Sequence, residues 1–493
     1  MLRVFQNPKV VVGVVFVAAM FMNILDTTIV NTTIPTIGSD FGTSVSSTGA
    51  VASAYLVSLA VVIPASGWLG DRFGTRRIFL IALTLFTVAS ALCAVAGSLG
   101  QLVAFRVLQG VGGGMLTPVG MAMLFRVFPP EERIRAAKIL TVPTAAAPAL
   151  GPVLGGLLVD GLSWHWAFLV NVPVGLAALL FGARYLPRHE DEGESTGPFD
   201  LPGFVLAGVG LGGLMFGITE GPTRGWGTVD VLAPGLVGLA LLVLLVRREL
   251  RVRFPLLDLG VFRDRLFRAS VRVVVPSTAG FLGLLYAFPL LQQEGLGRTA
   301  TESGLLTFPE AIGVMAGSQV VSRLYPLVGP RRLIAAGATT VGLMALLLTR
   351  VDGGTPDALV VVVMFVLGAG MSFVFIPTQS TVFANISRAA TGQASGLFNG
   401  LRQTGAALGV ALLATVISVV GTAPLPGGGV PGDDLSGYHA AFLTAAALLA
   451  LGALMAWRIR DADAASTMTP ATGHRGTHPA GATGGPAVEA GGD

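Results

Sequence analysis

The sequence holds one cysteine and five histidines in 493 residues, and only 12% of its residues are charged. Each shortage excludes a class of protein. A single cysteine, Cys93, closes no intramolecular disulfide, so no disulfide framework holds the chain. No histidine falls in the middle of an apolar run, which argues against an enzyme embedded in a membrane. No Gly-rich phosphate loop follows a strand pattern, so an ATP-driven pump is excluded. Rings of like charge, as in a charge-selective channel, are missing as well. The charge itself is about half of what soluble domains carry.

What the chain has instead is hydrophobic length. Of its residues 53% are hydrophobic, and its mean hydropathy is +0.75. The apolar residues come in runs of roughly 20, the length of a helix that crosses a bilayer. Spans are predicted at 10–34, 47–69, 78–97, 101–127, 137–160, 164–185, 201–220 and 229–247. They continue at 270–291, 303–323, 332–350, 358–379, 395–421 and 438–457, about fourteen helices in all by the hydropathy criterion. Helices are required because an open strand in lipid leaves its backbone groups unsatisfied. The first run follows Arg3 and Lys9 but continues past Asp26 without a small-residue cleavage site, so it reads as a retained span.

Arginine and lysine then set the orientation. With both termini cytoplasmic, the inner loops hold Arg72, Arg76, Arg77, Arg126, Arg133, Arg135, Lys138, Arg184 and Arg188. The same side takes the dense run from Arg247 to Arg272, then Arg323, Arg331, Arg332, Arg388 and Arg402. The outer loops hold only Arg224, Arg298 and Arg350. This alternation supports an even number of spans. It also makes the net charge of +4 a matter of topology, with no nucleic-acid partner implied. The basic connector 247–270 is expected to lie as an interfacial helix on anionic lipid. The tail 461–493, rich in Ala, Gly, Pro and Thr, is expected to be disordered.

An internal repeat is visible. Gly74, Arg76 and Arg77 match Gly329, Arg331 and Arg332, and Gly110 and Gly112 match Gly368 and Gly370 at a nearly equal offset. Residues 1–190 therefore read as one six-helix bundle and 251–460 as a connector and a second. Residues 191–250 read as an inserted helix pair, and 461–493 as the tail. Parallel repeats about an axis along the membrane normal are a known transporter layout.

Within this frame a few polar residues stand out. "NILDTTIVNTTIP" (23–35) places Asp26 inside the first span, where a carboxylate costs about 2.5–3.5 kcal/mol on insertion scales. "RVLQGVGGGMLTP" (106–118) places Arg106, read as the only arginine inside a span, with Gln109 about one turn further on. Asp26 is placed about 13 Å below the outer end of its helix and Arg106 about 7 Å below the end of its own, depths that long side chains bridge. Burial disfavours a charged carboxylate and a guanidinium favours it, so such a pair can take up and release a proton. Glu310, in "LLTFPEAIGV" beside Pro309, is a second proton-site candidate. Glu220, Glu294 and Asp160 sit at span ends and read as solvated.

Taken in order, these motifs resemble the major facilitator superfamily, specifically its 14-helix drug:proton antiporters, over nearly all of residues 1–460. "GWLGDRFGTRR" (67–77) resembles the superfamily's loop between the second and third helices. The resemblance implies a conformational latch made by Gly67, Gly70, Asp71, Arg72, Gly74, Arg76 and Arg77. Asp71 is expected to pair with Arg72 or Arg76, or to cap a helix N-terminus; Pro326 takes its place in the second copy. "RVLQGVGGGMLTP" resembles the fourth-helix motif. "APALGPVLGG" (147–156), with Pro148, Gly151, Pro152, Gly155 and Gly156, resembles the fifth-helix motif associated with exporters. Asp26 matches the acid of the first-helix signature. "WHWAFLVNVPVG" (164–175) and "QASGLFNGLRQTGAALGVAL" (393–412) resemble the sixth and thirteenth helices.

The resemblance implies an all-α major facilitator fold of two six-helix bundles plus an inserted pair, and a proton-coupled antiporter that exports amphipathic drugs by alternating access. Asp26, Arg106 and Glu310 would couple protons. A substrate cavity is expected among Met20, Phe21, Gln109, Phe281 and Tyr286, with Phe308, Met371, Phe373, Asn399 and Gln403. Export of lipids or metabolites, or proton-coupled import, is the competing reading. No cofactor is expected, because the proton gradient supplies the energy. The expected partners are a small-molecule substrate, protons and membrane lipids. The expected state is a monomer in a bacterial cytoplasmic membrane.

Overall fold

The computed structural model describes residues 7–43, 48–134, 136–139, 161–187, 197–387, 390–421 and 434–468, and a few positions between 147 and 158. Among these residues there is no β-strand, and thirteen helices are long and apolar enough to cross a membrane. We number them α1 (Pro8–Asp40), α2 (Ala50–Phe73), α3 (Thr75–Cys93), α4 (Leu99–Val127) and α5 (His165–Tyr185). Next come α6 (Leu201–Arg224), α7 (Val229–Glu249), α8 (Arg265–Leu290), α9 (Ala300–Val328) and α10 (Pro330–Leu348). The last are α11 (Asp357–Val382), α12 (Thr391–Gly421) and α13 (Ser436–Ala456). Most of the span expected at 137–160 lies outside the described residues, so α5 corresponds to the sixth predicted span.

Helices α1 to α5 pack on one another around a core that includes Phe16, Phe79, Phe86 and Leu116. Helices α8 to α13 pack around another, with Phe288, Val341, Met364 and Leu449 at its centre. α6 lies across α2 and α12, beside the seam between the two groups, and α7 packs on α6. Glu220 fixes that placement: it accepts from Ser53 Oγ at 2.5 Å and Arg224 Nε at 2.7 Å. Glu220 is thus buried, contrary to the expectation of a solvated carboxylate, because α6 continues to Arg224 and carries it against α2.

Glycine sets the sharp turns. Gly74, between α2 and α3, has φ 90°, and Gly329, between α9 and α10, has φ 82°. Both values lie where only glycine is at ease, and the two glycines occupy matching places in the sequence repeat. The connector after α7 departs from expectation. It has only a short 3-10 turn, Leu259–Arg263, and it buries Leu256 and Leu257 against Ala207 and Leu245 of α6 and α7. Two leucines with an apolar pocket in reach turn inward and do not spread on the lipid surface. The start of the tail is also ordered. Asp461–Met468 forms short helical turns, with Asp461 Oδ1 accepting from the Arg331 backbone at 3.0 Å and Thr467 bonded to the Tyr325 hydroxyl at 2.7 Å. Asp461 thereby caps the start of α10, satisfying a helix-end amide.

The two ends of the molecule differ in charge. The end holding the α2–α3 and α9–α10 turns carries Arg72, Arg76, Arg77, Arg331 and Arg332. The other carries Arg224, Arg298 and Arg350. The helix groups meet near the arginine-rich end. Gly67 of α2 lies so close to the Gly392 backbone of α12 that a side chain at Gly67 would clash with it, and one at Gly392 would meet the Asp71 carboxylate. Ser395 Oγ donates to Pro118 O at 2.8 Å, and the rings of Phe125 and Phe383 are 4.6 Å apart.

Candidate functional site

α1 runs ten residues past Val30, where its apolar stretch ends, to Asp40. This puts Asp26 about 21 Å from the C-terminal end of its helix, and Arg106 about 10 Å from the start of α4. Both stand further from their helix ends than the sequence suggested, and they meet. Asp26 is 0% exposed and Arg106 1%. Arg106 Nη1 lies 2.6 Å from Asp26 Oδ2.

The other oxygen is held as firmly. Gln109 Nε2 and Asn171 Nδ2 each donate to Asp26 Oδ1 at 2.8 Å. Gln109 Oε1 in turn accepts from Arg106 Nη1 at 2.7 Å. Ser90 Oγ accepts from Gln109 at 3.2 Å and Asn171 at 3.1 Å, and donates to Phe168 O at 2.9 Å. Arg106 Nε donates to Val51 O at 3.2 Å, and the guanidinium lies over the Tyr55 ring at 4.2 Å. Tyr55 donates to Asn23 Oδ1 at 3.2 Å, and Asn23 Nδ2 donates to Gly113 O at the same distance. All five helices α1 to α5 therefore contribute to one buried polar network. A buried ion pair is tolerable only when its remaining donors and acceptors are met in this way.

The glycines of α4 make room for it. Gly110 and Gly114 lie against the α2 backbone, Gly112 against α3, and Gly113 against Asn23 and Tyr55. Gly151 fits against Thr28 of α1, and Gly155 is buried. Pro148, Pro152 and Gly156 lie outside the described residues.

The latch motif sits at the arginine-rich end. Asp71 forms an ion pair with Arg126 of α4. Arg72 is adjacent on the helix and points about 100° away, and Arg76 Nη2 is 2.6 Å from Ala183 O. Asp71 also lies against Gly392 in the first turn of α12, where a helix N-terminus favours an anion. Gly67 makes the α2–α12 crossing, Gly70 touches Val119, and Arg77 is exposed.

Glu310 belongs to the second group of helices, apart from Asp26. It is 2% exposed, its Oε1 has no hydrogen-bond partner, and its backbone abuts Gly368 of α11. Of the residues expected around a cavity, Gln109 lies in the Asp26 network. Met20 accepts from Thr117 at 3.2 Å. Phe281 stacks edge-on against Phe375, and Met371 is fully buried beside them. Phe21, Phe373 and Gln403 are half-buried, and Tyr286 and Phe308 are exposed. Asn399 reaches Met121 Sδ of α4 at 3.4 Å.

Four polar side chains of the network were not singled out from sequence: Asn23, Asn171, Ser90 and Tyr55. Asn171 had a signal, as an amide inside the apolar run "WHWAFLVNVPVG"; Ser90 and Tyr55 had none. One reading is corrected. Arg106 is not the only intramembrane arginine. Arg402, counted with the inner-loop arginines, lies well within α12 (Thr391–Gly421), as it already did in the span expected at 395–421.

The comparisons with known proteins agree with this arrangement. The family model of the Major Facilitator Superfamily matches residues 16–410. A multidrug resistance protein B homolog of Mycobacterium tuberculosis is 32% identical over 410 residues, covering 82% of this chain and 75% of that one. A putative multidrug resistance protein MdtD of Salmonella heidelberg is 32% identical over 449 residues, covering 89% and 92%. Among solved structures, the human organic anion transporter MFSD10 superposes with a TM-score of 0.65 at 17% identity, covering 92% of this chain and 100% of that one. The proton:xylose symporter XylE gives 0.59 at 14% identity, covering 92% and 96%. These likenesses make the chain a transporter and not an enzyme: it is a multi-pass membrane protein that belongs to the major facilitator superfamily, with relatives of the multidrug-efflux type.

Proposed function

We propose that the protein is a proton-coupled antiporter that exports amphipathic small molecules across a bacterial cytoplasmic membrane by alternating access. The observation that carries this reading is the Asp26–Arg106 pair, 2.6 Å apart and closed off from solvent. Protonating Asp26 removes the charge that holds Arg106 and turns one carboxylate oxygen from acceptor to donor. The network then has to rearrange across all of the helices α1 to α5, which is a physical means of tying a proton to a change of conformation. Glu310, buried with an oxygen unpartnered, is the second candidate proton site.

The arginine-rich end is taken as cytoplasmic, with both termini there. The contacts of Gly67 with Gly392 and of Ser395 with Pro118 then close the cytoplasmic side, and the Asp71–Arg126 pair at the start of α12 latches it. Return to the inward-open form requires these contacts to part as the two helix groups rock. The names of the multidrug resistance relatives support drugs as substrates. Each proton that enters contributes about 2.3 kcal/mol per 100 mV of membrane potential.

The test is efflux of a fluorescent drug from cells of a pump-deficient strain, and its uptake into everted vesicles, with and without a protonophore. Wild-type protein is expected to transport and to lose transport with the protonophore. Asp26→Asn is expected to lose it in both conditions. Full protonophore-sensitive transport by that variant would refute the coupling role.

A further inference from the structure

We propose that Arg402 is the substrate-recognition group of the second helix bundle, a fixed cation that binds a carboxylate on the exported molecule. This deepens the efflux reading and rests on it.

Arg402 lies about 16 Å from the start of α12, within the apolar span Thr391–Val420. A guanidinium at that depth is expensive, and such residues face partners or a water-filled space. Arg106 meets that demand with Asp26, Gln109, Val51 and the ring of Tyr55. Arg402 does not. Its single hydrogen bond, Nη2 to Asn399 Oδ1, is long at 3.4 Å, and its enclosed Nε has no partner. Among the described residues no carboxylate pairs with it. Glu310 stands on α9, which packs chiefly on α11.

The direction of the side chain follows from its helix face. Ser395 and Asn399, seven and three residues earlier, share that face, and both reach α4 of the first bundle, at Pro118 and Met121. On one flank, Gly405 and Gly409 press against α8 at Val275 and Ala279. Beyond them lie the exposed Leu408 and Leu412. Arg402 therefore points into the seam between the bundles and away from lipid. It is half-buried, whereas Asn399, one turn nearer the closed end, is buried. It is the first residue on this face beyond the Ser395 and Asn399 contacts with α4. A planar guanidinium with unmet donors at the seam between the bundles fits a carboxylate, which it binds through two parallel hydrogen bonds.

The test uses matched dyes that differ only in a free carboxylate: rhodamine 110 and its methyl ester, rhodamine 123. Binding of each is measured to the purified full-length protein, and efflux of each is measured in cells. Wild type is expected to bind the acid more tightly than the ester. Arg402→Gln is expected to weaken binding of the acid on the order of tenfold, the worth of a charge-assisted pair, and to leave binding of the ester within about twofold. Arg402→Met, which keeps the apolar stem, guards against misfolding of the first variant. It is expected to be at least as thermostable as wild type, because it removes an uncompensated charge, and to lose the preference likewise. Equal loss of both dyes, a marked fall in thermal stability of Arg402→Met, or a wild type without preference for the acid would each overturn the proposal. A wild type that prefers the acid in binding but pumps neither dye would overturn the efflux reading alone.

Discussion

Asp26→Asn is nearly isosteric, yet it breaks the buried network at its most connected point. The carboxylate accepts three hydrogen bonds, one at Oδ2 from Arg106 and two at Oδ1 from Gln109 and Asn171. An asparagine keeps one oxygen and replaces the other with a donor. Whichever way it turns, a donor faces a donor, and Arg106, 1% exposed, loses its only carboxylate. Removing one member of a buried pair costs about 3–5 kcal/mol, because the other charge remains in place. Arg106→Gln is expected to cost a similar amount for the mirror reason. The double variant removes both charges together and should recover much of the loss, with a coupling free energy of about 2–3 kcal/mol, the upper range for contacting pairs.

Stability is read from unfolding of the four purified proteins in detergent, and transport from everted vesicles. Stability and transport are expected to part company: the double variant regains stability but not proton-driven transport, since the carboxyl that ties a proton to the α1–α5 network is gone. Additive stabilities, with a coupling near zero, would refute the ion pair as a structural fact. Protonophore-sensitive transport by the double variant would refute its role in coupling.

Other outcomes follow from the close helix crossings. Gly67→Val puts a branched side chain into the Gly392 backbone, so the arginine-rich end should fail to close; a cysteine at position 395, in a Cys93→Ala background, should then react with a maleimide faster than without the valine. Cys93 itself is buried beside Gln109, so in the native wild type it should resist maleimide and react only on denaturation. Gly409→Val drives its methyls into the Ala279 carbonyl of α8, an overpacking expected to cost about 1–3 kcal/mol in a detergent unfolding curve. Asp461→Ala removes the acceptor for the Arg331 amide and should cost about 0.5–2 kcal/mol, also seen in unfolding.

The helices were legible because each is a long apolar run bounded by charge, and Asp26 and Arg106 because each is a charge inside such a run. Their meeting was legible from their similar expected depths, although both stand further from their helix ends than expected, since α1 continues to Asp40 and α4 starts at Leu99. The partners Asn171 and Ser90 were less so. Amides and hydroxyls are common in membrane helices, and nothing local says which will face a carboxylate more than sixty residues away in sequence. Asp71 shows the same limit: its near arginines offered pairs, but tertiary packing supplied Arg126. Arg402 was misplaced for a plainer reason. It was counted with the inner-loop arginines although the span expected at 395–421 already held it seven residues from its start, and α12 holds it as well.

The repeat sharpens the contrast between the two bundles. Gly110 and Gly112 of α4 match Gly368 and Gly370 of α11, and the same offset brings Arg106 onto Met364 and Gln109 onto Leu367. Both of those are fully buried in the apolar core of the second bundle. The glycines that let helices approach were kept in both copies, because close packing is needed in both: Gly112 meets Ala82 and Phe86, and Gly370 meets Gly337 and Val341. The charges were not kept. A buried ion pair adds little net stability over well-packed apolar side chains, and the second bundle shows that this helix is built without one. The pair in the first bundle therefore needs a reason other than holding the fold, and a role in coupling is such a reason. If replacing Asp26, Arg106 and Gln109 together by apolar residues left proton-driven transport intact, that reason would be gone.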